Sequence, residues 1–238
     1  MNSMTPAPAS LTRSHEIAAV LQDEILRGQF RPGERLPSER DLAARFEASR
    51  GAVREALSQI EQVRLIDIQP GGARIKEVKE ASISVLGPLL SLGEKPDAHL
   101  VDQFIDTFSV LTRFTATRAI ELASDEQRAG LVEQLDEMKP FIGSVEELQP
   151  RMHELFVQLD RIADNLVVRL ISNDLQAQFV ERMLALQPRP SLGAEKLEAF
   201  VAGMREGIEK RDGEILSAAL RSHFLAMRTL VAQALVQE

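Results

Sequence analysis

The chain has 238 residues, 44% of them hydrophobic and 27% charged, with a formal charge of −8. That length accommodates two domains with cores of their own. Cysteine is absent, which excludes disulfides, thiolate metal sites and cysteine nucleophiles and fits a cytoplasmic setting. No apolar run approaches the ~20 residues needed to span a bilayer, so no membrane partner is expected.

The acid is unevenly spread. Residues 1–78 hold 11 Arg or Lys and 11 Asp or Glu, whereas residues 79–238 hold 17 and 25. Within 35–54, five arginines (Arg35, Arg40, Arg45, Arg50, Arg54) face only Glu39, Asp41 and Glu47. A local basic face on an acidic body can still bind phosphates. Tyr and Trp are missing, and Phe46 is the only aromatic in residues 35–78. Single-strand binders stack bases on aromatics, so duplex DNA is the better-fitting partner.

In chain order, MNSMTPAPASL (1–11) reads as a disordered tail without the basic and apolar regions of a secretory signal. Ser14 can cap a first helix ending near Gly28, with Ile17, Val20, Leu21 and Ile25 on its apolar face. Gly28, Pro32, Gly33 and Pro37 break the pattern. Ser38 then opens a second helix, with Asp41 placed for a capping-box-like start and Leu42, Ala43 and Phe46 inward. Ser49 opens a third, whose buried stripe is Val53, Ala56, Leu57 and Ile60. Arg50 and Arg54 share a face of its first turns. The N-terminal residues of the second helix in a helix-turn-helix meet base edges, and arginine there grips guanine bidentately. The competing reading is a solvated charged face. Leu65, Ile66 and Ile68, then Ala73, Ile75 and Val78, flank Gln69-Pro70-Gly71-Gly72 and form a short hairpin. Its glycines either let backbone approach DNA or only permit the turn.

From Glu80 onward the pattern is helical, over 80–92, 98–123, 125–140, 145–163, 166–186, 193–210 and 213–236, with breaks at Gly93–Pro96, Ser124, Pro140–Ser144, Asp164–Asn165, Pro188–Pro190 and Arg211–Asp212. The fold is therefore mainly α: a winged helix-turn-helix with a small β-hairpin over 12–79, then an all-α bundle of six to seven helices over 80–238.

These residues resemble a known family. ILRGQFRPGERLPSERDLAARF, SRGAVREAL and the wing LIDIQPGGARI are similar to the GntR-type winged helix. The C-terminal part resembles, more loosely, the FCD-type effector domain of the FadR subfamily, anchored at Asn165 and IEKRDGEILSAALRSHF. The resemblance implies a DNA-binding transcriptional regulator, commonly a repressor, that dimerises through its effector domain and grips a pseudo-palindromic operator under control of a small molecule. It implies DNA contacts from Arg40, Ser49, Arg50, Arg54, Gly71 and Gly72, with Arg40 on phosphate. Pro70 and Gly72 depart from the basic or imidazole wing tips of some relatives, leaving backbone contacts there.

The effector domain departs further. Many such domains hold a divalent metal with one Asp and three His. Here those positions carry Met152, Phe156, Val201 and His223, and an arginine that often meets an acidic ligand is replaced by Phe108. One imidazole cannot hold a metal when the other three positions lack donors, so no metal and no cofactor is expected. His153 falls one residue off the usual face. The candidate effector set is Phe108, Met152, Phe156, Asn165, Val201 and His223. It forms either an apolar pocket suited to an acyl chain or a filled core with His223 satisfied inside it. The subfamily's fatty-acid-responsive member also lacks the metal site and has Phe at the position of Phe156. The alternatives are regulation of a small-organic-acid pathway, or architectural DNA binding without a ligand.

An enzymatic role is not expected. Ser222 adjoins His223, but neighbouring helical residues do not face each other. No P-loop or G-x-G-x-x-G occurs.

Overall fold

A computed structural model describes residues 13–184 and 192–236 of the chain; the expected tail (1–11) and the break at Pro188–Pro190 lie outside the described residues. Two compact units are present, the first ending at Leu92 and the second beginning at Gly93.

The first unit holds α1 (Arg13–Leu26), α2 (Glu39–Arg45), α3 (Arg50–Gln62), β1 (Ile66–Gln69), β2 (Gly72–Ile75) and α4 (Leu86–Leu90). Ser14 does not cap α1 but lies buried inside it. The helix includes Arg13, which pairs with Glu16 at 2.7 Å. Ser38 caps α2, accepting from the Asp41 N–H at 3.2 Å while its hydroxyl donates to the Asp41 carboxylate at 2.7 Å. Ser49 caps α3 through the Ala52 N–H at 3.2 Å. Each cap satisfies a donor that the first helical turn leaves open. Between α2 and α3, Glu47 takes a left-handed conformation (φ 48°) that turns the chain sharply.

Ile17, Leu21, Leu42, Val53, Ala56, Ile60, Leu65, Ile66 and Ile75 make the core of this unit. Val20, expected on the inner face of α1, is exposed, as are Ile68 and Val78. The β strands pair antiparallel, with Ile66 opposite Ile75 and Gln69 opposite Gly72. Ile68 lies two pairs nearer the hairpin tip than Ile66.

Residues 80–92 differ from the expected bundle helix. A 3-10 turn at Ile83–Val85 leads into the five-residue α4. Pro88 has no N–H to donate and its ring crowds the carbonyl four residues earlier, which disfavours a helix running into it from residue 80. Val85 joins the N-terminal core, and Leu89 and Leu92 pack on it, so this segment closes the first unit instead of opening the second.

The second unit comprises α5 (Ala98–Leu122), α6 (Asp125–Met138), α7 (Val145–Ala163), α8 (Leu166–Leu184), α9 (Ala194–Lys210) and α10 (Gly213–Val236). Asp97 caps α5, and Ser124 and Gln127 form a reciprocal capping box on α6. Asp164 ends α7 in a left-handed conformation. Helix α5 packs on α7 and α10, and α9 on α6 and α10, around a core that includes Ile120, Leu131, Leu135, Leu155, Leu159, Met204, Ile208, Leu216 and Leu220. Arg228 on α10 clamps α5 with two 2.7 Å hydrogen bonds to the Asp102 carboxylate; these hold that carboxyl below its usual range. Among the described residues no helix is long and apolar enough to cross a membrane.

Candidate functional site

The start of α3 presents its polar residues outward. Ser49, Arg50 and Arg54 are all exposed, and Arg40 is exposed on α2. The Ser49 oxygen is spent on the cap, but its hydroxyl hydrogen remains available to donate. Arg54 lies 3.5 Å from Glu39, a loose pair whose arginine side chain is 79% exposed. Arg40 and Arg50 have no ion pair or hydrogen bond among the described residues. Arg45 differs. It reaches back to Glu24 with a second contact at 2.9 Å and lies over the Phe46 ring. It anchors α2 to α1 and is not a free cation.

The hairpin is fixed to this helix. Glu61, near the end of α3, accepts from the Ile68 N–H at 2.7 Å, so the wing and the recognition helix form one piece. Nothing in the sequence distinguishes Glu61 from other surface acids; only the tertiary contact singles it out. The turn residues Gly71 and Gly72 are both exposed. Gly72 has φ +114°, a conformation that disfavours a side chain. Gly71 is not in that region, but a Cβ there would stand 2.9 Å from Nη2 of Arg35. Arg35 reaches the hairpin through a backbone bridge to Arg74.

The second set of candidates sits in the helical unit. Val201 is only 2% exposed, and Met152 and Phe156 pack against the same core. Phe108 stacks on Phe104 with ring centres 5.8 Å apart and meets Phe224 edge-on at 6.0 Å. His223 stacks on Phe200 at 4.1 Å and meets Phe224 edge-on at 5.7 Å. Burial pushes the His223 imidazole down to about 4, and its Nδ1 is buried without a hydrogen-bond partner. Asn165 does other work. Its side chain accepts from the Val168 N–H at 3.1 Å and so caps α8. The residues present do not fit a divalent ion, since aromatic rings and not further donors flank His223. Among the described residues no three His, Asp or Glu side chains converge. His153 is exposed, away from this cluster's core. An open groove of about 690 Å³ lies elsewhere, between α6 and α9, and none of the six candidates lines it.

One surface has no counterpart among the expected site residues. On α8, Leu166, Val167 and Leu170 are 65%, 67% and 59% exposed, with Ile171 beside them. On α5, which contacts α8, Val110 and Phe114 are exposed four residues apart. The stretch LVVRLI already carries the signal, because a helix apolar on more than one side needs a second cover.

Comparison with known proteins places residues 13–74 under the family described as "Bacterial regulatory proteins, gntR family". The HTH-type transcriptional regulator Mce2R of Mycobacterium tuberculosis is 27% identical over 231 residues, covering 92% of this chain and 93% of that protein. The fatty acid metabolism regulator protein of Haemophilus influenzae is 22% identical over 225 residues, covering 94% and 89%. Among solved structures, one described as "Lar controls the expression of the Listeria monocytogenes agr system and mediates virulence" has TM-score 0.53 at 16% identity. It covers 96% of this chain and 99% of that one, a likeness of fold alone.

Proposed function

Residues 13–74 are a GntR-family helix-turn-helix domain, and from that premise we propose that the protein is a cytoplasmic transcriptional regulator gripping a pseudo-palindromic operator as a homodimer. The observation that carries the reading is the pair of unpartnered guanidiniums, Arg40 and Arg50, at the capped starts of α2 and α3. Arg50 at the first position of α3 is the base-reading residue. Arg40 holds phosphate, Arg54 assists once released from Glu39, Ser49 donates to phosphate, and Gly71 and Gly72 bring the wing backbone close. The assigned boundaries follow: a DNA-binding unit over 12–79 with its closing segment to Leu92, and an effector-binding and dimerising helical unit beyond.

The homodimer is supported by the exposed apolar face of α5 and α8. A two-fold operator needs two copies of α3, and a face of leucine, valine and phenylalanine is suited to self-association. We assign repression as the mode of action from the family resemblance.

The effector reading is of an apolar or acyl-type molecule. It is supported by the apolar character of Phe108, Met152, Phe156 and Val201, the single imidazole of His223, and likeness to a relative named for fatty acid metabolism. Small-organic-acid control is less favoured, because no cation stands among these residues to meet a carboxylate. The tight burial of Val201 favours a second reading, in which the bundle centre is filled and the protein binds DNA without a ligand. Thermal shift against fatty acids, acyl-CoAs and small carboxylates separates these readings. Stabilisation by acyl compounds alone supports the first, and no shift with any of them supports the second. A fall in midpoint with EDTA would overturn the metal-free assignment.

For the DNA reading, the full-length protein is used to enrich a duplex from a random-sequence pool. Failure to enrich any sequence, or unchanged binding of that duplex by Arg50→Ala, would overturn it.

A further inference from the structure

We propose that Arg35 brings positive charge to the tip of the wing, holding the DNA backbone beside the hairpin turn, and that a side chain at position 71 would push its guanidinium aside. The inference rests on the reading of the first unit as a duplex-binding winged helix. It adds a contact residue from outside the recognition helix and outside the hairpin.

The turn residues cannot supply that charge. Gln69-Pro70-Gly71-Gly72 is uncharged, and the nearest ionisable side chain on β1 is Asp67, which accepts from Gln69 Nε2 at 2.6 Å. On β2, Arg74 donates to the Gly33 carbonyl at 2.8 Å, which ties it to that loop without cancelling its charge; after β2, Lys76 pairs with Glu80 at 2.9 Å.

Arg35 places a guanidinium at the turn. Its segment runs antiparallel to β2. The Leu36 N–H donates to the Ala73 carbonyl and the Ile75 N–H to the Glu34 carbonyl, each at 2.9 Å. That pairing aims the Arg35 side chain along the hairpin to the turn, where Nη2 and Cζ lie 2.9 and 3.5 Å from the place a Gly71 Cβ would take. Arg35 is exposed and has no ion pair among the described residues. A planar guanidinium held at a wing tip without a counter-charge is suited to a phosphate oxygen. The two glycines differ: Gly72 suits its own left-handed backbone, whereas a Cβ at Gly71 would displace the flexible end of a neighbour's side chain.

The test uses the full-length protein and the duplex it enriches from a random-sequence pool. Arg35→Ala should weaken binding roughly tenfold at moderate salt and lower the slope of log affinity against log salt by about 0.9. Arg35→Lys should keep that slope. Gly71→Ala should weaken binding in the wild-type background but add little to Arg35→Ala, because the new methyl acts only by displacing the guanidinium. The thermal midpoint of each variant is read alongside. A loss of binding that tracks a loss of stability, an unchanged salt slope in Arg35→Ala, or additive effects of the two substitutions would each overturn the proposal. Arg50→Ala keeps the underlying reading separate. If it abolishes selective binding while Arg35→Ala does nothing, only the role of Arg35 fails.

Discussion

The start of α3 and the centre of the helical unit treat their polar groups in opposite ways. Arg40 and Arg50 stand exposed without partners, while neighbouring Arg45 is consumed by Glu24 and Phe46. In the helical unit the one imidazole of the candidate set is pressed against Phe200 and Phe224, with Nδ1 unsatisfied. A cation that must meet phosphate works by staying available. A buried imidazole is held neutral by the loss of water around it. The first region is therefore recognised by unspent charge, and the second by the shape and polarity of what surrounds a group.

The largest effect is expected on the exposed apolar face. Leu170→Asp should leave the protomer folded, because the side chain is 59% exposed, yet halve the mass seen by light scattering. Losing the second half-site contact should cost roughly 10²–10⁴-fold in operator affinity. An unchanged mass would remove α8 from the dimer reading. Next, Phe200→Ala strips the ring on which His223 stacks and should destabilise the protein by about 3–5 kcal/mol in denaturant unfolding. A cost well under about 1 kcal/mol would mean that this region is loosely packed.

Arg50→Ala should cost about 1–3 kcal/mol and relax preference at one base position, whereas Arg40→Ala should weaken binding evenly across sequences and reduce the salt slope by about 0.9. Equal behaviour of the two would erase the distinction between base reader and phosphate holder.

The buried imidazole gives a pH signature. Its folded value is about 4, against 6.5 ordinarily. The unfolded chain takes up a proton in that interval that the folded chain refuses. The stability involved is fully present above pH 6.5 and is lost as pH falls toward 4, on the order of 3 kcal/mol in all. His223→Phe keeps an aromatic in place and should flatten the stability profile between those values; a profile of unchanged slope would show that His223 is not so buried. The smallest effect is expected at Arg54. Its pairing with Glu39 is loose and exposed, so Glu39→Gln should change stability by well under about 1 kcal/mol while modestly strengthening DNA binding.

Much of the first unit was legible because its signals are local. Ser38 and Ser49 cap helices at the expected places, and the stripe Val53, Ala56, Leu57, Ile60 is buried in full. The helices of the second unit begin and end close to the expected places. Ser14 and residues 80–92 were misread for one reason: a serine before an apolar face and a short apolar run each fit two structures locally. Packing of Val85 into the N-terminal core decided the second of them. Asn165 was legible as an anchor of the resemblance, but its observed bond is a helix cap.

What the sequence determined by itself was the kind of element at each place and the charge each segment carries, because caps, breaks and periodicity act within a few residues. Which arginine is spent and which is free was decided only in three dimensions. Arg45 and Arg50 are five residues apart and chemically identical; Glu24, folded back from α1, neutralises one and leaves the other to solvent. The same holds for Arg35, whose place at the hairpin depends on strand pairing with a segment some forty residues downstream. It holds as well for His223, whose neutrality comes from rings on two different helices. Partnership and desolvation are properties of neighbours in space, and a linear chain does not specify those until it has folded.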